Sequence, residues 1–153
     1  MARPAARCAI RDSLHGDCGS VSSHQQQHDV AHRAAAGEGE RQLDRLRAAA
    51  ANWRRPGAPP NALAMKAARR VVALAAHPDL PPIRLDAVPT GGVRLRWSCG
   101  SRAATLDCLN DGLAVAIISD RSTRAVMWPV PSDADVRNAL HRIAAFLDAR
   151  DPI

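Results

Sequence analysis

The chain has 153 residues, 46% of them hydrophobic and 24% charged, with a formal net charge of +6. That length is one domain's worth, and no apolar run reaches the ~20 residues that a membrane span requires. Aromatic residues make up only 3%, namely Trp53, Trp97, Trp128 and Phe146. Alanine buries little area, so a core must lean on the few Leu, Ile, Val and Trp side chains.

Residues 1–39 show no sustained periodicity and are read as a disordered or poorly ordered tail, ahead of a single α+β domain over residues 40–150. Small and polar residues dominate the tail, which buries too little to offset its ordering entropy. Arg3, Arg7 and Arg11 are not followed by a continuous apolar stretch, so the sequence does not read as a secretory signal. The expected compartment is a reducing cytoplasm, where Cys8, Cys18, Cys99 and Cys108 stay as free thiols. No pair has the CxxC spacing of a zinc or redox site. Cys108 is expected to be a small buried hydrophobe, held away from Cys99 by the strand between them.

A helix is expected over residues 40–52, with Leu43 and Leu46 on its apolar face. Arg54-Arg55-Pro56-Gly57-Ala58-Pro59-Pro60 cannot be helical. Asn61 can cap a second helix, whose buried stripe is Leu63, Ala67, Val71 and Leu74. His77-Pro78 ends it.

Five strands follow: Ile83–Val88, Val93–Ser98, Arg102–Leu109, Leu113–Ser119 and Arg124–Val130. The turn signals between them are Thr90-Gly91-Gly92, Gly100, Asn110-Asp111-Gly112 and Asp120-Arg121-Ser122-Thr123. Connections this short predict a five-stranded antiparallel meander paired in chain order. The fourth strand is the most apolar and is expected at the centre. Pro129 marks the fifth as an edge. Ser132 and Asp135 form a near capping box for a last helix with Val136, Leu140, Ile143, Ala144 and Leu147 inward. The expected core is Leu85, Leu95, Trp97, Leu106, Val115 and Ile117 against Ile143 and Leu147. The other sheet face carries Arg84, Asp86, Arg94, Arg96, Thr105 and Asp107.

Leu43-x-x-Leu46, Asn52-Trp53, Gly57-Ala58-Pro59-Pro60, a helix and the Gly91-Gly92-Val93-x-Leu95-x-Trp97 hairpin together resemble an uncharacterised group of short bacterial α+β proteins. In that group an Asn-Trp-Asp-x-x-Gly-Ala-Pro loop precedes a helix and a β-meander. The likeness covers residues 40–147, and Arg54 stands where the group usually has Asp. It implies an accessory protein of mobile or paired gene contexts, and no activity, cofactor or catalytic residue.

The residues themselves do not compose a catalytic set. There is no Gly-x-Ser-x-Gly elbow, no paired carboxylates suited to acid–base work, and no lysine and helix after Gly91-Gly92 to make a phosphate loop. His141 sits at the margin of the last helix's stripe. No enzyme and no cofactor is expected. His24, His28 and His32 recur at the i, i+4, i+8 spacing that could hold Zn²⁺ or Ni²⁺ on a helix, but their Gln-rich surroundings offer no apolar face to hold one.

Two binding readings remain. The first is a protein-interaction module that binds another protein or its own copy, with Trp53, Arg54, Arg55 and Trp128 as contacts. For Trp53 the favoured reading is a plug that packs its loop onto the sheet, because so few other large side chains can fill the core. Val126, Trp128 and Val130, if exposed, would offer a strand edge. The second reading is nucleic-acid binding. Residues 1–40 carry four arginines against five carboxylates, whereas residues 41–153 carry seventeen basic against ten acidic groups, a net +7. Arg54, Arg55, Arg69, Arg70, Arg94 and Arg96 are the candidate phosphate contacts. The arginine excess also fits the codon bias of a GC-rich genome, and the mixed charges on the sheet favour the first reading.

Overall fold

The computed structural model describes residues 21–75, 80–120 and 123–149, with side chains in the first helix from Ala34 onward apart from Ala35. Three helices and five strands follow the order α1 (Val21–Ala51), α2 (Ala62–Leu74), β1 (Arg84–Ala87), β2 (Gly92–Cys99), β3 (Arg102–Leu109), β4 (Ala114–Asp120), β5 (Thr123–Pro129) and α3 (Asp133–Asp148). The strands form one antiparallel sheet in the order β1-β2-β3-β4-β5. This is the expected α+β meander. β3 is its centre, and not the fourth strand as its apolar run suggested, because chain-order pairing leaves the third of five strands in the middle.

The first helix begins at Val21, so residue 40, where a helix was expected to start, lies inside it. Gly39, just ahead of the sequence-based boundary, is held against α2. A Cβ on Gly39 would lie 2.6 Å from Val72 Cγ1, and Glu40 accepts a hydrogen bond from Arg69 Nε at 3.0 Å. Close helix approach at Gly39 and an ion pair beside it are tertiary effects without a periodic signature.

The two other helices start where their caps predict. Asn61 has extended backbone, and its side chain accepts from the N–H groups of Leu63 and Ala64. Ser132 does the same for Asp135 N–H and donates its hydroxyl to the Asp135 carboxylate at 2.5 Å. Asp133 and Asp135 place negative charge at the positive end of α3.

All three helices pack on one sheet face. Strand alternation puts Leu85, Val93, Leu95, Trp97, Ala104, Leu106, Cys108, Ala114 and Ala116 there, buried against Leu43 of α1, Val71 and Val72 of α2 and Ile143 and Leu147 of α3. Trp97 is the largest fully buried side chain. Val115 and Ile117 were expected in this core and are not. They pair with Asp107 and Thr105, whose side chains share the uncovered face, and both are only half-buried. Alternation overrides apolarity in β4: the smaller Ala114 and Ala116 take the core positions because α3 lies close above them.

The two sheet edges differ. Val88 donates to Gly92 O, so alternation turns the N–H of Leu85 and the carbonyl of Ile83 outward from β1. The Gln42 side chain takes both: its Oε1 accepts from Leu85 N–H at 2.9 Å and its Nε2 donates to Ile83 O at 3.4 Å. One amide thus stands in for a neighbouring strand and seals the edge. Gln42→Ala leaves these partly buried backbone groups without the amide, and a loss of about 1–2 kcal/mol is expected. Urea denaturation measures it, and amide exchange at Leu85 should accelerate with it.

Candidate interaction surface

The loop between α1 and α2 is built as a clasp. Trp53 Nε1 donates to Gly57 O at 3.0 Å, and the Arg55 guanidinium lies 6.0 Å from the Trp53 ring centroid. Gly57 has φ +93°, and a Cβ there would lie 1.9 Å from Pro89 O, so only glycine lets this loop approach the β1–β2 turn. Asn110 of the β3–β4 turn holds the other end. Its Oδ1 accepts from Asn61 N at 2.8 Å, its Nδ2 donates to Pro59 O at 2.8 Å, and its own carbonyl accepts from Asn61 Nδ2 at 2.7 Å. The Gly-Ala-Pro-Pro-Asn stretch therefore ties two sheet turns to the start of α2. Trp53 braces its own loop and is not among the side chains packed on the core, so the plug reading is corrected: its indole reaches a carbonyl four residues on instead of the sheet.

The arginines fall in separate places. Arg69 on α2 pairs with Glu40 and Asp44 of α1, and Arg70 pairs with Asp133 of α3. These bridges tie helices together. Arg94 is on the uncovered sheet face and grips Asp107 with two parallel bonds of 2.7 and 2.6 Å. Asp107 is the buried carboxylate of this face, and its bonds hold the Arg94 guanidinium more firmly protonated than usual, against the opposing effect of burial. Arg96 is exposed and stands directly opposite Arg84 in β1, a like-charge pair that costs stability. Arg54 and Arg55 are exposed at the clasp. Three of the four arginines singled out for nucleic acid on α2 and the sheet are thus engaged within the chain, and the set is divided between opposite sides of the sheet.

Trp128 lies on the helix-side face, half-buried against the core, with the Arg142 guanidinium 4.0 Å from its ring centroid. Val130 is buried. Val126 and Met127 are exposed, at 51% and 65%. Pairing of Val130 N–H with Ala114 O makes Trp128–Ala116 and Val126–Ile118 the hydrogen-bonded pairs with β4. The N–H group of Met127 therefore points outward, away from β4, while a β-bulge between Ile118 and Asp120 breaks the alternation in β5 before Val126. Pro129 occupies an outward position as well, where its missing N–H costs nothing. Half of the uncovered face, across Val115, Ile117, Met127 and Pro129, is apolar, and the other half carries the charged rows of β1 and β2.

Among the described residues, no three of His, Cys, Asp and Glu converge as metal ligands. The side chains of His24, His28 and His32 lie outside the described residues. A recess lined by Leu74, Arg137, Leu140 and His141 has a volume of about 170 Å³, below the ~300 Å³ at which small-molecule pockets begin. No described helix is long and apolar enough to cross a membrane.

Cys108 is buried and free, as expected. Cys99 is disulfide-bonded, which corrects the expectation that the thiols stay free. It sits half-buried at the end of β2 beside the Gly100 turn, whereas Cys108 is enclosed by the core. Burial, helped by the neighbouring Asp107 charge, pushes the Cys108 thiol up to about 12 from a usual 9.0. The folded state therefore holds this proton above pH 9, where the unfolded chain loses it. Stability should fall as pH rises from 9 toward 12, by up to about 1.4 kcal/mol per pH unit. The chain has no tyrosine and a single lysine, Lys66, so few other groups titrate there. Urea titrations at pH 8 to 11 test this, and Cys108→Ala should flatten the slope.

No protein family matches this chain, and neither a curated protein nor a solved structure does.

Proposed function

We propose that this chain is a non-catalytic protein-interaction module, of the kind an accessory protein of a bacterial, phage or mobile-element context would use. The observation that carries the reading is the one-sided helix layer: three helices cover one sheet face, and no other described element covers the second, which has an apolar half beside a charged half. An apolar centre with arginines at its margin is the composition of a protein-docking patch. The exposed Met127 and the half-buried Val115 and Ile117 supply the centre, and Arg84 and Arg96 the margin. Contacts through Arg54, Arg55 and Trp53 at the clasp would extend it, whereas Trp128 serves the core.

Arginine-driven nucleic-acid binding is the less favoured reading. Arg69, Arg70 and Arg94 are already paired, and the uncovered face presents no aromatic ring for base stacking.

A photo-crosslinking side chain at position 127 tests the interaction reading in cells that express the protein. It should yield a defined protein adduct, and the same group at Arg137 on the solvent side of α3 should not. Adducts absent from positions 117 and 127 alike would defeat the reading.

A further inference from the structure

We propose that the occupant of the uncovered sheet face is an acidic amphipathic helix of a partner protein, laid across the strands with its carboxylates between Arg84 and Arg96 and its apolar side chains on Ile117 and Met127. The proposal rests on the interaction-module reading and deepens it by giving the partner's chemistry.

The observation is one row of the sheet. Register aligns Arg84, Arg96, Thr105, Ile117 and Met127 across all five strands, and strand alternation turns each of them to the uncovered face. The row reads two cations, a hydroxyl and two apolar side chains. It lies clear of the β-bulge between Ile118 and Asp120. Arg84 and Arg96 are exposed, and neither is bonded to a carboxylate among the described residues. As direct cross-strand neighbours their Cβ atoms are ~5 Å apart, so the two charges repel. An anion seated between them relieves that repulsion. The adjoining row is different. Asp86, Arg94 and Asp107 stand side by side there, and Arg94 is already bonded to Asp107. That row sets two carboxylates against one guanidinium, so an incoming anion is directed to Arg84 and Arg96. A second copy would bring the same arginines and a net charge of +6, so the occupant is a different protein.

The face also selects a helix. β2, β3 and β4 each pair on both sides, and their backbone groups are spent within the sheet. An extended segment lying on this face would leave its own N–H and C=O groups without partners, whereas a helix satisfies them internally. Its pitch of ~5.4 Å is close to the ~4.8 Å between strands, giving about one turn per strand. From the middle of the Arg84–Arg96 pair, Ile117 is ~12 Å away along the row and Met127 ~17 Å. A helix rises ~12 Å in eight residues and ~16.5 Å in eleven. A carboxylate at i with apolar residues at i+8 and i+11 falls on one stripe of such a helix, within ~80°.

The photo-crosslinking side chain at position 127 of the full chain, in cells that express it, tests the partner's chemistry. Mass spectrometry of the adduct should find a helical peptide with Asp or Glu about eight to eleven residues from the crosslinked position. Arg84→Glu with Arg96→Glu should lower the adduct yield at least about tenfold, and Arg84→Lys with Arg96→Lys should retain most of it. Lys66→Glu with Arg137→Glu makes the same change of charge at exposed positions of the helix layer and should leave the yield within about twofold. The reversed pair keeps a like-charge contact of opposite sign. Circular dichroism and the urea midpoint should therefore stay near those of the parent, which separates a lost contact from a lost fold. An adduct that survives the Arg84 and Arg96 reversal, a captured peptide without carboxylates at that distance, or a captured second copy overturns the proposal and leaves the interaction-module reading standing. An adduct lost on nuclease treatment assigns the two arginines to nucleic acid and overturns it as well. Adducts absent from positions 117 and 127 alike remove both readings.

Discussion

The structure depends on a single apolar sheet face that has to accept three helices. Alternation along β2 and β3 brings Val93, Leu95, Trp97, Ala104, Leu106 and Cys108 to that face. With so few large side chains in the chain, Trp97 fills the space that several aromatics would share in a richer core. Burying a side chain of this size contributes more than any aliphatic contact around it. Leu43, Val71 and Ile143 bring one helix each onto it, so the helix layer is located by a small group of contacts and cannot move to the other face without losing them.

That commitment leaves the second face and the two edges to be settled by other means. At the clasp and at β1, polar groups settle them. Asn110 and Asn61 lock the turns to α2, and Gln42 closes β1. Arg94 and Asp107 neutralise each other in the middle of the uncovered face, where a buried carboxylate alone would be costly. At β5 a β-bulge, Arg124 and Pro129 interrupt the edge, while Met127 and Val126 stand out into solvent. Polar contacts thus close the β1 end, and exposed apolar side chains gather at β4 and β5, where the interaction reading is centred.

Much of the fold was legible because its signals are local. Asn61 and Ser132 mark their helices by the short reach of a side chain to the next turn's N–H groups. Asn110-Asp111-Gly112 marks a turn because Gly112 adopts φ +87°. What misled was apolarity used as a measure of burial. Val115 and Ile117 are more apolar than Ala114 and Ala116, yet register with Asp107 and Thr105 fixes them on the uncovered face. Trp53 misled similarly, since its indole finds a carbonyl within its own loop. The arginines could be counted but not assigned, because Glu40, Asp44 and Asp133 lie far from Arg69 and Arg70 in sequence.

By itself the sequence determined the α+β class, the chain-order meander, the two capped helix starts and Cys108 as a core residue, because periodicity, caps and turns act over a few residues. Only the tertiary structure decided which strand is central, how far α1 extends, which face Val115 and Ile117 take, that Cys99 is bonded, and that Gln42 seals β1. Those outcomes rest on contacts between residues far apart in the chain, such as Gln42 with Leu85 or Asn61 with Asn110, and no local pattern encodes a partner forty residues away.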